Sequence, residues 1–194
     1  QCLVGSEMCI RDCNYAALAK EAEITAPTAK QWLKVLVAAG LVYLLEPFIH
    51  PNLKYAVKAP KVYFTDTGLA AYLLRWSNAE ILEAGAMSSS FLETWAVMEI
   101  YKSFSNCGQI PPLGYYRDFN SREVELVLNV DGKVHPLAIR KSSNPAKETK
   151  KFDMLQPVTE GERALQLGDG GVICFASDLL PIDAKNWYIP AGML

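Results

Sequence analysis

The sequence predicts a mixed α/β (α+β) chain of two modules, a helix-turn-helix with a small sheet and then an α/β sandwich on a mixed sheet. Three observations predict it. Near the N-terminus, two stretches of helical spacing are joined by a short turn and followed by an apolar strand. Asp131-Gly132 separates two runs of strand character, Arg122 to Val130 and Lys133 to Lys141, and a two-residue Asp-Gly loop is a strong hairpin signal. Val172 to Ala176 is a continuous apolar run, as a buried parallel strand is.

In chain order, Tyr15 to Glu23 reads as a first short helix with Asn14 as N-cap, and Ile24 as a core turn residue. Thr25 caps a second helix with Pro27 in its first turn, running to Ala39 and stopped by Gly40. Trp32, Leu33, Leu36 and Val37 are its expected buried face. Leu41 to Leu45 reads as a strand, with Lys61 to Thr65 as its partner across a loop, Pro47 to Pro60, that holds three prolines. Helix, turn, helix, strand, loop, strand is the winged-helix order. Asp66-Thr67-Gly68-Leu69 opens a further helix to Leu74, and 77–86 is a polar linker. The second module begins with an apolar helix from about Ser89 to Ser105 and a strand from Leu113 to Arg117. The hairpin follows, then a basic helix over Asn144 to Leu155, a break at Gly170-Gly171, the strand to Ala176, and a final edge strand over Asn186 to Ile189. The expected domains are thus 14–76, a linker at 77–86, and 87–194, with 1–13 set apart.

Composition narrows the function classes. The chain has 194 residues, 51% hydrophobic and 21% charged, which supplies an ordinary core. A net charge of -2 exerts no global pull on nucleic acid or anionic membrane. No apolar run approaches the roughly 18 residues of a membrane span, and no basic stretch precedes an apolar one as in a signal peptide. Five scattered cysteines without zinc-ligand spacing read as reduced thiols, so the expected location is cytoplasmic and no membrane contact is expected.

Two regions bear on nucleic acid. Thr28, Ala29, Gln31 and Lys34 open the would-be recognition helix. Lys20, Lys30 and Lys34 are balanced by Glu21, Glu23 and Glu46, whereas Lys54, Lys58 and Lys61 of the wing have no acid nearby. Further on, Arg140, Lys141, Lys147, Lys150 and Lys151 place five bases in twelve residues against Glu148. For the winged helix, DNA contact and a packing or linking role both stay open; for the basic helix, phosphate contact and a solvated face do. His50 and His135 lack a partner at ligand spacing and read as structural.

The hairpin carries the chemistry-bearing residues. Its register pairs Val130 with Lys133, and counting back sets Glu125 opposite Ala138 and Glu123 opposite Arg140. Strict alternation then puts Glu123, Glu125, Ala138 and Arg140 on one face, with Val124, Leu126, Leu128, Val130, Leu137 and Ile139 on the core face. A Glu123–Arg140 cross-strand pair is expected, worth roughly 0.2–1 kcal/mol.

Four stretches in order carry a resemblance: Lys61-Val62-Tyr63-Phe64-Thr65-Asp66-Thr67-Gly68-Leu69, Phe91-Leu92-Glu93, Tyr115-Tyr116-Arg117-Asp118 before Glu123-Val124-Glu125, and His135-Pro136-Leu137-Ala138-Ile139-Arg140-Lys141-Ser142. Everything after residue 13 resembles the C-terminal region of prokaryotic AAA-type ATPases that carry the DUF4143 region. The resemblance implies an ATPase domain first, then a winged helix, then a restriction-endonuclease-like, PD-(D/E)XK-like domain. ATP would bind the upstream domain, since no G-x-x-x-x-G-K-[ST] loop occurs here. Separately, Leu3 to Asp12 resembles a translated sequencing adapter, so the natural chain is expected to continue upstream of Asn14.

In active relatives, strand carboxylates hold Mg²⁺ and a lysine two residues after the second acid assists. Carried over residue by residue, Glu93 takes the helix position, Glu125 the first strand acid, Ala138 the second acid and Arg140 the lysine. Alanine has no ligand oxygen, and arginine is not a conservative exchange for that lysine. Glu99 lies about 240° around the helix from Glu93 and is a poor replacement. The expected chain is therefore a catalytically degenerate, nuclease-like module for DNA or partner recognition, with no cofactor and no metal of its own. The upstream ATPase domain is its expected partner, and a homo-oligomer is a further one. Two alternatives stay open: an active Mg²⁺-dependent DNA endonuclease using Glu93 and Glu125, or a structural, oligomerising tail.

Overall fold

The computed structural model describes residues 14–51, 53, 59–76, 78–145, 148–156 and 165–194. The segment 1–13 and the expected phosphate contacts Lys54, Lys58 and Lys147 lie outside the described residues. The fold is mixed α/β, with helices and a mixed sheet, and divides into two compact units, 1–45 with 59–98, and 46–58 with 99–194.

In the first unit, local chemistry sets the element ends. α1 spans Tyr15–Glu21, and the Asn14 side chain accepts from the Ala16 and Ala17 amides. α2 spans Ala26–Ala38; Thr25 accepts from the Thr28 amide and Pro27 sits in the first turn. Each such cap stabilises its helix by about 1 kcal/mol. Gly40 follows with φ +70°, a left-handed conformation that ends α2 and feeds β1, Val42–Leu45. β1 pairs antiparallel with β2, Lys61–Phe64, in the register Val42↔Phe64 to Leu45↔Lys61. Asp66 caps α3, Thr67–Leu73. The expected linker contains a helix, α4, over Ala79–Ala84, capped by Asn78. Leu18, Ala19, Ala29, Leu33, Val42, Phe64, Ala70 and Phe91 form the core.

The buried face of α2 differs from expectation. Leu33 is buried, but Trp32 is 57% exposed and Val37 37% exposed. Ala29, Leu33 and Leu36 are spaced four and three residues apart and make the narrow stripe that meets the core. Trp32 lies about 100° from Leu33 and about 40° from Leu36, at the margin of that stripe.

α5, Ser88–Asn106, passes from the first unit into the second. Its apolar composition corresponds to burial of Phe91, Leu92, Ala96, Val97, Met98 and Ile100. The second unit holds a sheet of order β3-β4-β5-β7-β9-β8, with β6 also on β5. Its strands are β3 Leu113–Arg117, β4 Glu123–Val130, β5 Lys133–Ile139, β6 Gln166–Leu167, β7 Gly170–Cys174, β8 Leu180–Pro181 and β9 Asn186–Pro190. The hairpin turns at Asp131 and Gly132, with φ 51° and 74°, and pairs Val130 with Lys133 as expected. Positive φ at both central residues is what a two-residue turn of this hand requires, and Asp-Gly tolerates it.

β7 is parallel to both β5 and β9 and buried throughout. Gly170 and Gly171 belong to this strand and do not interrupt it. A Cβ on Gly170 would meet Pro136 O at 2.8 Å, and one on Gly171 would meet Ile189 Cδ1 at 2.6 Å. They are glycine because neighbouring strands approach too closely for a side chain. β9 is not the edge either; β8, two residues long and ending in Pro181, lies outside it. A short edge strand with proline resists further pairing.

Candidate functional site

The expected site residues fall in separate units. Glu93, on the first-unit part of α5, accepts from Lys61 Nζ at 3.1 Å and from Tyr63 Oη at 2.8 Å, both on β2. Lys61 is 1% exposed, so it is an internal partner of Glu93 and not a surface contact for phosphate. Glu99 pairs with Lys102 on its own helix at 2.9 Å.

In the second unit the hairpin register holds from Val130↔Lys133 back to Leu126↔Leu137. The Glu123–Arg140 pair does not form. Between Gly114↔Val127 and Tyr116↔Val124, β3 advances by two residues and β4 by three, so β4 carries one extra residue there. Such a bulge breaks strict alternation and re-aims side chains. Val124 and Val127, three apart, accordingly share one apolar cluster. Glu123 turns to Arg117, opposite it on β3, whose Nε donates to Oε2 at 2.7 Å.

Glu125 takes Arg140 instead. Arg140 NH1 donates to Glu125 Oε1 at 2.7 Å and to the Ile139 carbonyl at 2.7 Å. Lys151, on the 3₁₀ segment Glu148–Leu155, donates to Glu125 Oε1 at 2.8 Å and Oε2 at 2.5 Å. Arg140 NH2 then reaches Glu148 Oε2 at 2.8 Å, and Lys151 Nζ lies 3.7 Å from the same oxygen. Burial opposes the charge of Arg140, but Glu125 and Glu148 outweigh it and hold the guanidinium more firmly protonated than usual. Burial likewise pushes the Glu148 carboxyl up, yet Arg140 and Lys151 bring it below its ordinary value. The 3₁₀ segment is held over the sheet by Phe152 and Leu155, which join Val127, Val134, Ala138 and Val172 in the core. Glu125, Arg140 and Lys151 are thereby fixed by packing around them.

The residue types do not fit a Mg²⁺ centre. Ala138 is fully buried, pairs with Val172 of β7, and contributes a methyl group to the core. Both oxygens of Glu125 are engaged by cations. Among the described residues, no three of His, Cys, Asp and Glu converge as a metal-holding group. A hard divalent ion needs several oxygens, and a site lined by Arg140 and Lys151 repels it.

Elsewhere, Thr28 Oγ1 lies 2.8 Å from Thr25 Oγ1, at the start of α2. Gln31 and Lys34 are exposed on α2, Lys141 is half-buried, and Lys150 is exposed. His135 Nδ1 is 2.8 Å from the Asp169 carbonyl oxygen, a contact that ties β5 to the loop before β7. Among the described residues, Cys107 and Cys174 are free thiols, and no helix is long and apolar enough to cross a membrane.

Four partner residues are not read from the sequence. Arg117 and Glu123 flank the Asp118 turn six residues apart, a visible signal. Glu148 and Lys151 sit at i,i+3, also visible, but their convergence on Glu125 depends on the fold. Tyr63 gives no local hint of its bond to Glu93.

Comparisons with known proteins bear on the family. The chain matches a domain of unknown function, DUF8612, over residues 4–80, a range that begins inside the segment set apart at the N-terminus. It is 26% identical over 131 residues to the uncharacterized proteins Mb2031c of Mycobacterium bovis and Rv2008c of Mycobacterium tuberculosis. That alignment takes in 68% of this chain and 29% of each relative, so the chain spans under a third of their length. No solved structure matches it. A second domain of unknown function, DUF4143, matches residues 88–194, which include the β4–β5 hairpin and the Glu125–Arg140–Lys151 cluster. With more than half of its length in that match, the chain belongs to the DUF4143 family.

Proposed function

We propose that this chain is a non-catalytic recognition module: a winged helix followed by a degenerate, restriction-endonuclease-like domain, serving a larger AAA-type ATPase. The observation that carries the reading is the engagement of Glu125. The one strand carboxylate that a metal-dependent nuclease would need is neutralised by Arg140 and Lys151, and Ala138 stands where the second would be. A buried carboxylate held by two cations is a structural element, and disengaging it for a metal would leave Arg140 and Lys151 with Glu148 as the one carboxylate between them.

The exposed surface of α2 supports recognition of a protein by the first unit. Trp32 and Val35 are 57% and 62% exposed and border an apolar groove of about 520 Å³ with Ala22, Ile24 and Leu36. A helix that reads phosphates and base edges presents cations and polar side chains there, whereas exposed tryptophan and valine suit an apolar partner.

Incubation of the chain with plasmid in Mg²⁺ or Mn²⁺ tests the catalytic part. The expected result is intact plasmid. Cleavage that disappears in Glu125→Ala would overturn it. For the first unit, co-purification of the chain with the ATPase part of its own gene product is expected to weaken in Trp32→Glu. Undiminished association of Trp32→Glu, with its fold intact, would count against the α2 surface.

A further inference from the structure

We infer that Arg140 and Lys151 form a site for a phosphate of a nucleic-acid backbone, and that Glu148 keeps this site closed by occupying the phosphate's place. The inference rests on the non-catalytic reading above and assigns a ligand class to the same cluster. Two cations and two carboxylates meet there, so the cluster is neutral as it stands.

The two carboxylates are not equivalent. Glu125 is the inner one, 9% exposed, and uses both oxygens on Arg140 and Lys151. Glu148 is the outer one, 29% exposed, and meets both cations through a single oxygen, Oε2. Arg140 divides its guanidinium accordingly. NH1 is committed inward to Glu125 and the Ile139 carbonyl, and NH2 points to Glu148.

A phosphate oxygen has the charge and the acceptor geometry of that Oε2, and guanidinium is well matched to phosphate. Glu148 is the first residue of its 3₁₀ segment, while Phe152 and Leu155 anchor the segment further along. Its side chain can therefore leave the cations without unpacking the core. Glu148 meets both cations through one oxygen, and an anion that offers several acceptor oxygens can compete for them. Lys150, next to Lys151 in the chain, is exposed and adds a further positive charge to the segment.

The test is binding of a short DNA duplex across a salt series by the wild-type chain and Glu148→Gln. Glu80→Gln serves as the control, since Glu80 is an exposed residue of α4 and its change alters net charge equally. Glu148→Gln is expected to bind about tenfold more tightly than Glu80→Gln. Its log–log salt slope should steepen by about one unit, the signature of roughly one more phosphate neutralised. The double change Arg140→Gln with Glu148→Gln should lose the gain. Where that variant fails to melt cooperatively, Arg140→Lys with Glu148→Gln replaces it and should keep less than the full gain. Equal affinity of Glu148→Gln and Glu80→Gln, or a gain that survives loss of the Arg140 guanidinium, would overturn the inference. Inorganic phosphate should raise the melting temperature of Glu148→Gln more than that of Glu80→Gln, and an equal rise in both also counts against the site. Metal-dependent plasmid cleavage by the wild-type chain would instead remove the non-catalytic reading, whatever Glu148 does.

Discussion

Replacing Lys151 by methionine keeps the length and most of the volume of the side chain and removes its charge. In the folded protein Lys151 donates to both oxygens of Glu125, at 2.8 and 2.5 Å, and the two side chains are 13% and 9% exposed. Breaking a fully buried pair by removing one partner costs about 3–5 kcal/mol. Here Arg140 still holds Oε1 of Glu125, so roughly 2–3 kcal/mol is the expected loss, in the range of hydrogen bonds to charged groups. For a unit of this size that lowers the melting temperature by on the order of 10 °C. Adding Glu125→Leu to Lys151→Met removes the stranded charge and leaves Arg140 with Glu148 and the Ile139 carbonyl. The double variant is expected to recover most of the loss, since buried pairs replaced by apolar groups are often neutral or better. Thermal and urea melts of the wild type, both single variants and the double variant give the coupling directly. The same melts with Mg²⁺ ask whether Glu125 has another ligand. A Lys151→Met loss below about 0.5 kcal/mol, together with stabilisation by Mg²⁺ that vanishes in Glu125→Leu, would refute the argument that Glu125 is a structural carboxylate.

Two further outcomes follow from the geometry. Because Arg140 and Lys151 hold Glu148 below its ordinary value near 4.5, its contribution is present above that value and is lost as pH falls through the depressed folded one. The melting-temperature difference between wild type and Glu148→Gln should therefore shrink as pH is lowered from 6 to about 3, and a gap that stays constant would show that Glu148 is not so held. Gly171→Ala drives a methyl group to 2.6 Å from Ile189 Cδ1 and 3.0 Å from the Trp187 carbonyl oxygen, and should cost about 1–3 kcal/mol by overpacking. Gly192→Ala, with nothing near its Cβ, should change stability little in the same urea melts.

Much of the fold was legible because its signals are local. Asn14, Thr25, Gly40 and Asp131-Gly132 act on backbone groups one to four residues away, so caps, stops and the hairpin could be placed from neighbours alone. The signals that misled are those whose meaning depends on distant chain. Gly170-Gly171 looks like punctuation until β5 and β9 are seen pressing on both sides. Trp32 looks like core because tryptophan is apolar, but it lies at the margin of the Ala29, Leu33 and Leu36 stripe and borders an open groove. Lys61 looks like a surface cation of the wing, and only the arrival of Glu93, thirty-two residues on, explains why it is buried.

The cluster on the hairpin divides along the same line. Residue types alone limit what the cluster can use: two glutamates on β4, an alanine and an arginine after the turn, and an Asp-Gly that aligns both strands. Who pairs with whom is set by packing between distant segments. One extra residue in β4 turns Glu123 toward Arg117, and the packing of Phe152 and Leu155 brings Lys151 and Glu148 to Glu125 and Arg140. A bulge and a helix docked from twenty-six residues away leave no periodic trace in the chain, because their energy lies in contacts between segments and not within them.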